Sequence, residues 1–433
     1  MTVCVMGLWH LGVVTAACAA AGGHRVYAYD EEASVVHGLQ HGELPVAEPG
    51  LAELVRAGVA SGSLSFHEDL RAALTSAEVL WVTYDTPVDE HDRADAAWVE
   101  QRICGCFSSL GTQTLVVISS QLPVGTTRRL AAACAAERTE AGIKFAYVPE
   151  NIRLGCAIEE FMHPERVVAG VGGEATRAQV RALFAPFTER LVWMSWESAE
   201  MTKHALNAFL ATSVAFTNEV ARICEAVGAD AREVEQGLRS DGRIGPRAYV
   251  RPGAAFAGGT LARDVVFLQE ISARYGLAAP LMQSVMVSNE LHRRWAAECL
   301  ARCVQPLVGA RIAVWGLTYK PGTSTLRRSA AVELCRWLQD QGALVQVHDP
   351  IVRTLPDELR NGVQLCESAL DAVRGADALV ICTEWPEYRE IEPSVVLAAL
   401  ATPRVIDANG FLDATLGAAP GVVYYRVGFR RSA

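Results

Sequence analysis

The chain opens on a short apolar run that breaks at a glycine. Residues 3–14 read VCVMGLWHLGVV, which predicts a strand over Val3–Met6, a turn at Gly7 and then a helix. The Ala-rich stretch Val13–Ala21 continues the helix, and Gly22–Gly23 stop it. A second strand, His24–Tyr29, ends at Asp30. This is strand–helix–strand with an acid about 20 residues past the turn. Val79–Thr83, Thr114–Ser119 and Lys144–Val148 are apolar runs of strand length and predict buried parallel strands. A doubly wound sheet over about residues 1–190 follows from this rhythm.

The period changes at Ser198. SAEMTKHALNAFLATSVAFTNEVARICEAVG reads as one helix, free of Gly and Pro until Gly228. At 1.5 Å per residue it is roughly 40 Å long, a length suited to running between lobes or across a subunit interface. More helical sequence occupies about 265–304. At Ala310 the first pattern restarts. ARIAVWGL predicts a strand and turn, Ser329–Gln341 a helix, and ALVQVHD a strand ending at Asp349. Ala378–Thr383 and Arg404–Asp407 predict later strands, while the turn GLTYKPGT is no phosphate fingerprint. The expected fold is α/β: two Rossmann-like, doubly wound parallel-sheet lobes joined by a long central helix and a helical connector. The expected domains are 1–195, 196–304 and 305–433.

Composition narrows the partners. The net charge of the 433-residue chain is -10, without the clustered Lys and Arg that a nucleic-acid binder uses on phosphates. No apolar run reaches the roughly 18–20 residues that span a bilayer. The N-terminus reads as a strand with no basic region before it, which argues against a secretory signal. Twelve cysteines are scattered, and neither Cys104–Cys106 nor Cys299–Cys303 belongs to a repeated C-x-x-C framework. The expectation is a cytoplasmic protein with free thiols, no metal and no membrane partner.

The first turn then poses a question. Gly7 permits the tight turn and Gly12 the close helix–strand packing of a G-x-G-x-x-G fingerprint, but Trp9 stands where the middle glycine lets backbone approach a pyrophosphate. Either the indole swings outward and leaves the helix N-terminus free for phosphate, or it fills the phosphate path. A Rossmann turn that carries no cofactor is the plainer reading of such a broken fingerprint. Asp30 favours NAD over NADP, because a carboxylate binds the ribose 2′-OH and repels a 2′-phosphate.

Further stretches add to these. In order they are ELPVAEPGL (43–51), TYDTP (83–87), LPVGTT (122–127), VPENIRLGCAI (148–158), PERVVAG (164–170), EMTKHALNAF (200–209), SDGRIG (240–245), FAGGTLARD (256–264), GLTYKPGTSTLRRS (316–329) and TEWPEY (383–388). Together they resemble the UDP-glucose/GDP-mannose dehydrogenases over nearly the whole chain. These are NAD-dependent enzymes that oxidise the C6 alcohol of a nucleotide sugar to a carboxylate in two hydride transfers.

The resemblance implies roles residue by residue. Lys203 and Asn207, four apart on the long helix, match a pair that stabilises a developing oxyanion and holds a water. Glu150 matches a glutamate assisting proton transfer, and Asp264 an aspartate near the reacting water. Gly7, Trp9, His10, Leu11, Gly12, Asp30, Thr86, Gln121 and Arg327 fall at cofactor-binding positions. Arg243, Phe256, Gly258, Arg263 and Lys320 fall at substrate-binding positions, with Arg243 matching an arginine that crosses a dimer interface. The implied partners are a nucleotide sugar and a second copy of the chain. Arg243, Lys320 and Arg327 are each also readable as a plain surface cation.

The departures cluster at the chemistry. Counting back from Asp264, the family's catalytic cysteine falls on Thr260. Gln121 replaces a water-binding threonine, Leu154 a second glutamate of some members, Arg263 a lysine, Ser34 a lysine near the ribose, and Asn409 or Gly410 an arginine near substrate phosphates. Cys156, six residues after Glu150, is a further candidate thiol. Three readings stay open: an oxidoreductase of altered, two-electron chemistry; a four-electron dehydrogenase using a non-thiol route through Thr260 or a hydrated aldehyde; and a non-catalytic nucleotide-sugar binder, which Trp9 favours.

Overall fold

The computed structural model describes residues 1–89, 93–257 and 259–430. They form two compact units, 1–206 and 207–433. The first unit is built on eight strands: β1 (Thr2–Met6), β2 (Arg25–Tyr29), β3 (Leu64–His67), β4 (Val79–Val82), β5 (Leu115–Ile118), β6 (Lys144–Tyr147), β7 (Val167–Val171) and β8 (Leu191–Met194). Their order across the sheet is β3-β2-β1-β4-β5-β6-β7-β8. All neighbours are parallel except β6 and β7, which run antiparallel. The central strands β4 and β5 are buried along their whole length, because helices cover both faces, and so they read as continuous apolar runs.

The second unit repeats the plan with β9 (Arg311–Trp315), β10 (Leu344–His348), β11 (Val363–Leu365), β12 (Ala378–Ile381), β13 (Arg404–Asp407), β14 (Val423–Arg426) and β15 (Phe429–Arg430). The order is β11-β10-β9-β12-β13-β14-β15, parallel up to an antiparallel last pair. In each sheet the order reverses beside the first strand, β1 in one and β9 in the other. Such a switch point opens a crevice at the strands' C-terminal ends, where open α/β sheets bind ligands.

The long helix spans Trp196–Val227, two residues earlier at its start than the sequence pattern suggested. Helices Thr260–Arg274, Pro280–Arg293 and Trp295–Cys303 follow it. No helix among the described residues is long and apolar enough to cross a membrane.

The first turn shows why its glycines are needed. Gly7 has φ +97°, and its N–H donates to Tyr29 O at 3.0 Å, which ties the end of β1 to β2. Gly12 lies on the helix His10–Ala21, where an added Cβ would sit 1.7 Å from Gly7 O and 2.9 Å from Thr83 Oγ1. Backbone cannot retreat from such a clash without opening the turn. Gly12→Ala is therefore expected to lower stability by about 3 kcal/mol, the upper range for overpacking, which urea unfolding would measure.

Candidate active site

At the first turn Asp30 stands at the C-terminal end of β2, nearly buried. Its Oδ2 accepts the Leu8 N–H at 2.7 Å and its Oδ1 the Glu32 N–H at 2.9 Å. The second unit contains the equivalent carboxylate, Asp349 after β10, but that group is saturated. Asp349 Oδ2 accepts from Leu317 N, Thr318 N and Trp385 Nε1, and Oδ1 from Ile351 N and Val352 N. Burial opposes its charge, but these donors outweigh burial and hold its pKa below the ordinary carboxylate range. Asp30 accepts from two backbone N–H groups, Asp349 from six donors, the Thr318 hydroxyl among them, so the first turn keeps more lone-pair capacity for a ligand hydroxyl.

Trp9 is the N-cap of the first helix and remains 51% exposed, so its indole is not packed inside the turn. Leu11 is buried in the core below it. His10 Nε2 lies 2.9 Å from Glu48 Oε2. Glu48 is itself buried and accepts the N–H groups of Gly155 at 2.8 Å and Ala157 at 2.9 Å. Burial raises its pKa, yet the bonds from Gly155, His10 and Ala157 win and the carboxyl is held below its ordinary value. Glu48 thus joins three of the motifs quoted above: the first turn, ELPVAEPGL and VPENIRLGCAI.

Glu200 does the same for two more motifs. It is fully buried and accepts Gly125 N at 2.6 Å, Thr127 N at 2.8 Å and Thr127 Oγ1 at 2.7 Å, at the start of the helix Thr126–Glu137. A carboxylate there satisfies orphan helix N–H groups and complements the helix dipole. Burial dominates its titration and raises its pKa. Thr86 and Gln121 meet as well, the Thr86 hydroxyl donating to Gln121 O at 2.6 Å.

The Glu150–Lys203 pair lies at the C-terminal end of β6. Lys203 is nearly buried, its Nζ donates to the Glu150 carbonyl, and the same Nζ lies 3.9 Å from Glu150 Oε2. The other carboxylate oxygen, Oε1, is buried without a hydrogen-bond partner among the described residues. A buried ammonium beside a half-satisfied carboxylate leaves capacity for a ligand's hydroxyl or oxyanion.

The second unit contains the remaining matched residues. Asn207 Nδ2 donates to Asp264 Oδ2, and both residues are buried. Thr260 is exposed at the first position of the helix Thr260–Arg274, after Gly259 with φ +100°. Arg263 is half-buried on the same helix. Phe256 is buried and exchanges two bonds with Asn289, its N–H donating to Oδ1 at 2.9 Å and its carbonyl accepting Nδ2 at 2.8 Å. Gly258 lies outside the described residues. Arg243 reaches solvent and, among the described residues, pairs at 2.7 Å with Asp241 two residues before it. Lys320 is half-buried and Arg327 exposed, both on the loop after β9. The structure thus brings together Gly7, Gly12 and Asp30; Thr86 and Gln121; Glu150 and Lys203; and Asn207 and Asp264. It leaves Arg243 and Arg327 standing outward. Glu48, Glu200 and Asn289 were not singled out in the sequence. The first two sit inside quoted motifs, which was the available signal.

Two Rossmann-like sheets, with a glycine turn and its acid at the first switch point, define the doubly wound class of fold that binds dinucleotides. Comparison with known proteins is specific. Residues 1–188, 197–291 and 313–414 match, in turn, the NAD binding, central and UDP binding domains of the UDP-glucose/GDP-mannose dehydrogenase family. The chain is 32% identical over 431 residues to UDP-glucose 6-dehydrogenase TuaD of Bacillus subtilis, covering 98% of this chain and 93% of that protein. It is 32% identical to UDP-glucose 6-dehydrogenase of Pseudomonas aeruginosa, covering 100% and 98%. A solved UDP-glucose dehydrogenase from the archaeon Pyrobaculum islandicum superposes with a TM-score of 0.84 at 30% identity, over 99% of this chain and 94% of that one. The chain belongs to the UDP-glucose/GDP-mannose dehydrogenase family. It is an NAD-dependent, nucleotide-sugar dehydrogenase-like oxidoreductase.

Proposed function

We propose that the protein oxidises a CH–OH group of a nucleotide sugar by two electrons and releases the carbonyl product. The observation that carries this reading is Thr260, a hydroxyl at the helix start where the family's thiol would stand, in a chain that keeps the Glu150–Lys203 pair. Gly7, Gly12 and Asp30 would hold NAD: the two glycines let β1, the turn and the first helix close on one another, and the Asp30 carboxylate keeps lone-pair capacity for a ribose hydroxyl. When bound, NAD accepts a hydride from the sugar carbon.

The chain's own residues handle the proton and the charge. As the C–H bond breaks, the hydroxyl oxygen must lose its proton. Lys203, buried and cationic beside Glu150, stabilises that oxygen as negative charge develops. Glu150, with a free lone-pair site on Oε1, accepts a proton directly or through water. Asn207 fixes Asp264, which orients water in the second unit. Oxidation beyond the carbonyl requires a tetrahedral adduct that carries a hydrogen on the reacting carbon. A cysteine thiolate forms that adduct readily and a threonine hydroxyl does not. Cys156 offers no substitute: desolvation and Glu160 push its thiol pKa up, which disfavours the thiolate. To test the reading, the protein is incubated with NAD and a panel of UDP-, GDP- and ADP-sugars while absorbance at the NADH band is followed. Turnover with one sugar class is expected. No turnover with any sugar, together with no NAD binding by calorimetry, would favour the non-catalytic reading.

Residues 196–304 are proposed to form the dimerisation domain. Support comes from the long helix, where Phe209, Phe216 and Ile223, spaced by seven, are 70%, 53% and 61% exposed. A stripe of large apolar side chains at that period suits a self-complementary partner related by a two-fold axis. The double variant Phe209→Glu/Phe216→Glu is expected to elute as a monomer and the parent as a dimer, by size-exclusion chromatography with light scattering.

A further inference from the structure

We propose that Asn409 is a positioning residue that transmits nucleotide occupancy of the second unit's sheet edge to the placement of residue 260. The proposal rests on the reading of this unit as the nucleotide-sugar-binding part. Asn409 follows β13 at the C-terminal edge of the sheet, the edge where such sheets take ligands. Its Oδ1 accepts the Ala254 N–H at 2.7 Å, and because that partner can only donate, the amide orientation is fixed. The approach to the 251–256 loop is close: a Cβ on Gly253 would lie 2.4 Å from Asn409 Oδ1. The Asn409 carbonyl accepts from Arg251 and Arg232, each at 3.2 Å.

The opposite side of that loop is held by helices. Gly253 N donates to Asn218 Oδ1 at 3.0 Å, His292 Nε2 lies 2.8 Å from Gly253 O, and Asn289 makes its two bonds with Phe256. The side chains of Asn409 and Arg251 thus tie the segment to the sheet edge, and the segment precedes in the chain the helix that starts with Thr260 and contains Asp264. A ligand that moves or stiffens the 407–410 turn shifts Asn409, and Asn409 shifts Ala254.

The test uses a thiol reporter that needs no hydride transfer. In full-length Thr260→Cys protein, alkylation of residue 260 by iodoacetamide is measured by peptide mass spectrometry with and without saturating UDP, while calorimetry measures UDP binding. UDP is expected to change the alkylation rate about fivefold or more, a coupling of ordinary size. Adding Asn409→Ala is expected to remove that response while UDP still binds. Substituting Asn409→Asp instead keeps the acceptor toward Ala254, so the response is expected to return. UDP binding without any change at residue 260 overturns the coupling. So does a response that persists in Asn409→Ala or stays absent in a UDP-binding Asn409→Asp variant. Failure of the reporter protein to bind UDP at all would instead remove the nucleotide-sugar reading, and the coupling with it.

Discussion

Thr260→Cys is expected to turn the product from a carbonyl into a carboxylate and to raise acid formation by two orders of magnitude or more. The reason lies in the pKa gap between nucleophiles. A free thiol ionises near about 8.5, while an ordinary hydroxyl lies nearer water, about 15.7. The gap of roughly 7 units corresponds to on the order of 10 kcal/mol, of which a better nucleophile recovers part. The site favours the thiolate further, since residue 260 is the first of a helix of 15 residues and helix N-termini lower thiol pKa. An acid yield unchanged by the substitution would mean that residue 260 does not face the reacting carbon. The complementary change, Thr260→Ala, is expected to leave carbonyl formation intact.

Lys203→Met is expected to lower kcat by on the order of 10³-fold with a small change in KM, the signature of an interaction made mainly in the transition state. Methionine keeps the buried volume and removes the charge. Replacing a buried charge by an apolar side chain of similar size is often neutral for stability, so the protein is expected to stay folded by circular dichroism. The Glu150 carbonyl loses its ammonium donor, which gives the variant a modest structural cost. Steady-state kinetics separate the two effects. A rise in KM with kcat unchanged would assign Lys203 to ground-state binding alone.

The legible parts of the molecule were those fixed by local pattern. The strand Val3–Met6, the turn at Gly7 and the acid Asp30 could be read because a parallel strand buried on both faces is apolar throughout and the turn demands glycine. The 196–227 helix was readable because its period runs unbroken. Strands β7 and β8 gave no such signal: β8 is mostly half-buried, and the antiparallel step at β6–β7 breaks the strand–helix rhythm. Glu48 and Glu200 were invisible as buried carboxylates. Their charge is tolerated only because backbone N–H groups more than 70 residues away in sequence converge on them, Gly125 and Thr127 on Glu200, Gly155 and Ala157 on Glu48. No local pattern encodes that convergence. The Glu150–Lys203 contact, spanning 53 residues, was reachable only through the family resemblance.

The stoichiometry of the unaltered protein tests the central claim most directly. A limiting amount of the nucleotide sugar that supports turnover is consumed with excess NAD, NADH is counted by absorbance, and the product is identified by mass spectrometry. One NADH per sugar and a product two hydrogens lighter than the substrate are the predicted result. Two NADH per sugar with a uronic acid product would contradict it and establish a four-electron oxidation that needs no thiol at position 260.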